Sequence, residues 1–184
     1  MDVDKENFFR EFSIRICGSL DIDKALGDAF QYVGTAMPLE ELMVGHTDIE
    51  SGIMEFVATA DRSGGSRKST KVAVSESVRK GLADGRYHPN LLLIDDHTGE
   101  PLTAPAGEAF GWSPSSLLVN RLVVGGRRVG FLIARAKGVG RYTSAHGALW
   151  ASVTEPAAIA LSNYLIHREL FELKERLADD NRFL

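Results

Sequence analysis

Cysteine is almost absent from this 184-residue chain: Cys17 stands alone. A single thiol forms no disulfide within the chain, so a disulfide framework is excluded and a reducing compartment is the simpler reading. Long apolar runs are lacking too. The most apolar stretch, Leu117 to Ala136, is broken by Asn120, Arg121, Gly125, Gly126, Arg127 and Arg128, which excludes a membrane-spanning helix there. The chain opens on Met1-Asp-Val-Asp, acidic where a secretory signal is basic, and no apolar segment follows. The expected location is therefore the cytoplasm, with no membrane partner. Excess positive charge is also missing. Lys and Arg number 21 against 25 Asp and Glu, for a net charge of −4, which argues against nucleic-acid contact by this segment.

What is present is ordinary for a globular domain: 44% hydrophobic and 25% charged residues. The length predicts one domain, large enough to hold its core without metal or disulfide. Phe8, Phe9, Phe12, Ile16 and Leu20 recur at helical spacing. Asp21 is a candidate N-cap for a second helix carrying Ile22, Ala25, Leu26, Ala29, Phe30 and Val33, which ends before Pro38. Two extended runs, 42–48 and 53–59, flank the hairpin signal Glu50-Ser51-Gly52. Pairing Ile49 with Ile53 there sets His46 and Phe56 on one face. Residues 61–70 read as a polar loop, Ser75 as the cap of a helix over 76–83, and Leu91-Leu-Leu-Ile94 as a buried strand. Residues 100–114, with three prolines, read as a long loop, a length more often functional or mobile than structural.

The clearest hairpin pairs 116–124 with 127–134 across Gly125-Gly126, a pair suited to a turn with positive φ. Both strands are apolar on both faces and belong in the middle of a covered sheet. From Thr143 or Ser144 the chain reads as helix, kinked or divided near Pro156. Beyond Asn163, Ile166, Leu170, Leu173, Leu177 and Leu184 take heptad positions, a short coiled-coil seam interrupted by Asp180. Without a C-cap the helix looks cut in mid-element, and more protein is expected after it.

Chemical motifs are weak. Gly64 to Thr70 superficially resembles a phosphate-binding loop, but Arg67 stands where glycine should precede Lys68, and an extended run follows. Gly125 to Gly130 lacks the strand–helix setting of a dinucleotide site. No Gly-x-Ser-x-Gly occurs. Asp95, His97 and His46 are the nearest thing to a metal set, although strand alternation separates Asp95 from Asp96. Cys17 reads as a small buried hydrophobe. Trp112, after the proline-rich stretch, either closes a pocket or anchors its loop to the core. Arg121 within an apolar strand must reach solvent or meet an anion.

The order helix, helix, hairpin, short helix, strand, long loop, hairpin, long helix resembles the GAF sensory domain. The resemblance rests on Ser116-Leu-Leu-x-x-x-Leu-Val-Val-Gly-Gly-x-x-Val-Gly-x-Leu132, on Tyr142-Thr143 and on Pro156-Ala-Ala-Ile-Ala-Leu-Ser-Asn163, and spans about Asp21 to Asn163. The tail from Leu170 to Leu184 resembles the helix that joins such a sensor to the ATPase of sigma-54-dependent bacterial transcriptional activators. The resemblance implies an α+β fold: a six-stranded antiparallel sheet with the terminal helices on one face and a ligand pocket on the other. It implies a sensor over 1–163 and the start of a coiled-coil linker over 164–184, leading to ATPase and DNA-binding modules outside this segment.

By the same resemblance Phe131 faces the ligand, followed by Ile133. A two-residue turn sets Asn120 and Leu118 opposite them, and Asp95 and Trp112 rim the pocket, with Phe56 beside it. Arg121 then lies on the other face. Cys17 is too near the N-terminus to attach a bilin, and one cysteine excludes the methionine sulfoxide reductase branch, which uses several. No cofactor is assigned. The expected role is non-enzymatic sensing of an unidentified small-molecule effector by a homodimer joined through Ile166, Leu170, Leu173, Leu177 and Leu184. Two alternatives stand beside it: a dimerisation module whose pocket is filled by Phe56, Phe131 and Trp112, and a metal-dependent enzyme using Asp95, His97 and His46.

Overall fold

The structure, a computed structural model, describes residues 3–87 and 90–182. Helix α1 (Lys5–Ile16) begins at Asp4, whose carboxylate accepts the Glu6 N–H at 3.1 Å. It buries Phe8, Phe12 and Ile16, while Phe9 and Leu20, expected on the same stripe, are exposed. Leu20 lies past the helix end, where the period no longer applies. Helix α2 (Ile22–Ala36) buries the residues its periodicity predicts. Asp21 makes no side-chain cap; its carboxylate takes the Arg67 guanidinium at 2.8 Å instead.

Six antiparallel strands follow: β1 (Glu41–Asp48), β2 (Ile53–Asp61), β3 (Gly64–Ala73), β4 (Leu91–Ile94), β5 (Ser115–Val124) and β6 (Arg127–Lys137). Their order across the sheet is β3-β2-β1-β6-β5-β4. Strand β3 corrects the expected loop over 61–70. Ser66, Arg67, Lys68 and Ser69 are exposed along a sheet edge, where polar and cationic side chains deter pairing with another chain. A Cβ on Gly65 would run into the Asp23 carbonyl, so α2 lies directly on this strand. Strand β4 is the opposite edge, and Leu93 is exposed rather than buried.

Helix α3 (Glu76–Asp84) is capped as expected, the Ser75 hydroxyl accepting the Val78 N–H at 3.3 Å. The expected loop over 100–114 holds helix α4 (Ala104–Phe110), preceded by a 3₁₀ turn at His97–Gly99. Helix α5 (Ser144–Ser152) starts in a reciprocal cap between Thr143 and His146. Helix α6 (Thr154–Arg182) follows directly, with Pro156 in its first turn, where proline's missing N–H is not needed. Cys17 caps α1 and is exposed, not buried; its thiol reaches the Pro156 carbonyl at 3.6 Å, and partial burial raises its pKa.

Helices α1, α2, α5 and the first half of α6 pack on one face of the sheet around Phe12, Leu26, Trp150 and Leu161, together with Leu118, Leu122 and Leu132 from the strands. Helices α3 and α4 cover the other face through Val78, Leu82 and Ala106, against Met43, Phe56, Phe131 and Ile133. The α+β architecture with terminal helices on one face is thus as expected. Along α6 every described residue from Glu169 onward is exposed. Ile166, Leu170, Leu173 and Leu177 are 53%, 50%, 45% and 63% accessible within one protomer, and Leu184 lies outside the described residues. Among the described residues no helix is long and apolar enough to cross a membrane.

Candidate functional site

Alternation along the strands decides which side chains look toward α3 and α4, and the register of each hairpin, together with the bulge in β6, decides the alternation. In the β5–β6 hairpin Gly125 and Gly126 take φ of +56° and +76°, as the turn requires. Pairing runs Val124 with Arg127 and Val123 with Arg128, and then Leu122 faces Gly130, leaving Val129 as an extra residue in β6. From there on Arg121 opposes Phe131, Asn120 opposes Leu132, Val119 opposes Ile133 and Leu118 opposes Ala134. One inserted residue flips the face of every partner.

Phe131 and Ile133 consequently line a cavity beneath α3 and α4, together with Phe56. Leu118 and Asn120 do not. Leu118 belongs to the helix-side core, and Asn120 Nδ2 donates to the Trp150 carbonyl at 2.8 Å. Val119 takes their place in the cavity wall; Arg121, opposite Phe131 in the ladder, is not part of that wall and borders a cleft with Ala151, Ser152, Thr154 and Glu155. Arg128 also lines the cavity. Sequence reasoning missed it, because next to a Gly-Gly turn it reads as a solvated turn residue.

The cavity is small, about 30 Å³, room for one water molecule. Aromatic rings occupy the space around it. Phe56 meets Phe131 edge-on at 5.1 Å and Phe110 of α4 at 4.9 Å, and Phe110 stacks on Trp112 at 5.8 Å.

Trp112 anchors its loop. The His97 ring meets it edge-on at 5.4 Å, and the Arg135 guanidinium lies 5.3 Å above it. Its indole N–H is buried without a hydrogen bond of good geometry, close enough to Glu41 to favour that group's charged form. Trp112 does border a second, polar cleft of about 340 Å³ with Glu41, Arg135 and Lys137. There Arg135 Nε binds Glu41 Oε2 at 3.1 Å and Nη1 donates to Ser115 Oγ at 3.1 Å. Burial pushes the Glu41 carboxyl up, against the pull of Arg135. Asp95 is exposed and outside the apolar cavity; its backbone carbonyl accepts from Ser116 Oγ and the Gly140 N–H at 2.9 and 3.0 Å.

In the β1–β2 hairpin Asp48 pairs with Ile53, which sets His46 opposite Glu55 and Gly45 opposite Phe56; a second bulge, at Val57, comes only beyond these pairs. His46 therefore faces away from Phe56, a correction to the expected pairing of Ile49 with Ile53, which is off by one residue. On the helix side His46 Nε2 lies 3.4 Å from Glu55 Oε2, and Arg168 of α6 donates to Glu55 Oε1 at 2.9 Å. Burial lowers the pKa of His46. His97 is buried on the other side of the sheet, its Nδ1 accepting the Ser115 N–H at 3.2 Å. Asp95, His97 and His46 are thus not brought together. No group of three or more His, Cys, Asp or Glu side chains placed to hold a metal occurs among the described residues.

No family sequence model and no curated protein matches the chain. Solved structures do match. The phycoerythrobilin-bound GAF domain of a cyanobacterial phytochrome superposes with a TM-score of 0.62 at 12% identity, covering 91% of this chain and 100% of the other. The GAF domain of a phosphoenolpyruvate-protein phosphotransferase from Coxiella burnetii gives 0.61 at 13%, over 92% and 96%. Free methionine-R-sulfoxide reductase from Neisseria meningitidis, solved with its substrate, gives 0.60 at 15%, over 91% and 96%. The chain has the GAF fold.

Proposed function

We propose that this chain is a small-molecule-sensing regulatory domain of a bacterial transcriptional regulator, acting as a homodimer on ATPase and DNA-binding modules that lie outside this segment. One observation carries the reading. A single strand, β2, sends Phe56 into the lidded cavity and the neighbouring Glu55 to Arg168, where the exposed part of α6 begins. A ligand that displaces Phe110 and shifts Phe56 moves the strand that holds α6. A ligand preferring one arrangement of the helices shifts the population toward it, and α6 carries the bias onward. The role is binding, not catalysis. Ile166, Leu170, Leu173 and Leu177 supply the dimer seam, with Leu184 continuing the same heptad.

Two measurements test this on the full chain. Mass spectrometry of the purified protein, with a thermal-shift screen of metabolites, is expected to yield at least one stabilising compound. Truncation after Arg168 is expected to abolish self-association; a shortened chain that dimerises as before defeats the seam. A second reading, a dimerisation module with no ligand, draws support from the closed state of the cavity, where Phe56, Phe110 and Phe131 already fill the space. A screen in which nothing stabilises the protein favours that alternative.

A further inference from the structure

The wall of the cavity is apolar apart from the hydroxyls of Thr47 and Thr103 and one charge, Arg128. The bulge at Val129 turns Arg128 to the same face as Phe131 and Ile133. Its guanidinium is partly withdrawn from water, and among the described residues no carboxylate pairs with it. The charged neighbour acting on it is Arg121, a second cation, so burial and repulsion both disfavour its charged form. Withdrawing a guanidinium from water without a counter-charge is costly, and placing it beside a like charge adds to that cost. An anion between the cavity wall and Arg128 removes both penalties. A planar carboxylate matches the donor fork of arginine in two parallel hydrogen bonds.

The apolar remainder of the wall defines the rest of the ligand. Phe56 already holds the ring of Phe110 edge-on at 4.9 Å, a position an aromatic or short aliphatic body takes when α4 swings away. A neutral ligand fills that space but leaves Arg128 without its anion. We infer that Arg128 is the anion-recognition residue of this cavity, and that its ligand is a compact amphiphile with one carboxylate on an aromatic or aliphatic body. This deepens the sensory reading above and rests on it.

The test uses the full chain, its Arg128→Gln and Arg128→Lys variants, and matched probes. Benzoate, 3-phenylpropionate and octanoate are compared with their neutral counterparts benzamide, 3-phenylpropanol and octanol by thermal shift and calorimetric titration. At least one acid is expected to bind about tenfold or more tightly than its neutral partner. Arg128→Gln is expected to lose that preference, and Arg128→Lys to retain part of it. Without ligand, Arg128→Gln is expected to raise Tm by about 2–4 °C, since a desolvated cation is removed. Acids and neutral partners binding alike, or a preference unchanged in Arg128→Gln, overturns the anion assignment and leaves the sensory reading standing. A lowered Tm in unliganded Arg128→Gln also overturns it, because Arg128 then serves the fold. Silence from every probe, charged and neutral, overturns both.

Discussion

On the helix face of the sheet the strands meet Trp150, Phe8, Phe12 and Leu161, none of them measurably exposed, supplied by three helices. On the other face they meet α3 and α4, helices of nine and seven residues, and a cluster of rings closing on a cavity of about 30 Å³. Both cores are apolar, yet the second closes on a cavity whose wall includes a charged side chain, Arg128. A face packed by long helices resists rearrangement because many buried groups must move together. A face covered by two short helices opens at lower cost, as binding elements must. Stability and adaptability are thus assigned to opposite sides of the same strands.

The largest expected effect lies on the helix face. Trp150→Ala removes a ring that meets Phe12 edge-on at 5.9 Å, and urea unfolding is expected to show a loss of about 3–5 kcal/mol. Asn120→Ala comes next, at about 1–3 kcal/mol, because it removes a fully buried side chain together with its hydrogen bond to the Trp150 carbonyl. A stability loss without any change in ligand binding confirms Asn120 as a helix-side residue; altered binding at unchanged stability breaks the comparison. Phe110→Ala, on the lid, is expected to cost only about 1–2 kcal/mol, since its ring is half-buried. That variant is also expected to enlarge the cavity and speed ligand exchange, measured by stopped flow. A loss as large as that of Trp150→Ala makes the two faces equivalent.

The smallest effect is electrostatic. Burial and Arg168 depress the pKa of His46, while Glu55 and Asp48 oppose them. Its folded value therefore lies below the ordinary one of about 6.5. The unfolded chain takes up the proton first, so this contribution to stability is complete above that pH and is lost as pH falls through the folded value. Denaturation between pH 7.5 and 5 is expected to show the slope in the native protein and a shallower one in His46→Gln. Identical slopes remove His46 from the cluster that holds α6.

Much of the fold was legible because it depends on local rules. Helical spacing located α2, Ser75 and Thr143 announced their helices, and Gly125-Gly126 announced the tightest turn. Strand β3 escaped because an edge strand with exposed Ser, Arg and Lys has the composition of a loop. The candidate site was legible only in part. Phe56, Phe131 and Ile133 line the cavity, whereas Leu118, Asn120 and Asp95 do not, and Trp112 anchors its loop beside a different cleft. The error on β5 has a single cause: counting back from the turn assumes an unbroken ladder, and Val129 breaks it.

The sequence by itself determined most of the elements, β3 and α4 apart, their order and which residues are apolar enough for a core, since propensity, caps and turn chemistry act over a few neighbours. Only the tertiary structure decided which face each strand residue serves. The pairing of Asp48 with Ile53 and the bulge at Val129 belong to whole strands in register with their neighbours. That is how a chain with almost no chemical motif places Arg128 in the cavity and Asn120 outside it.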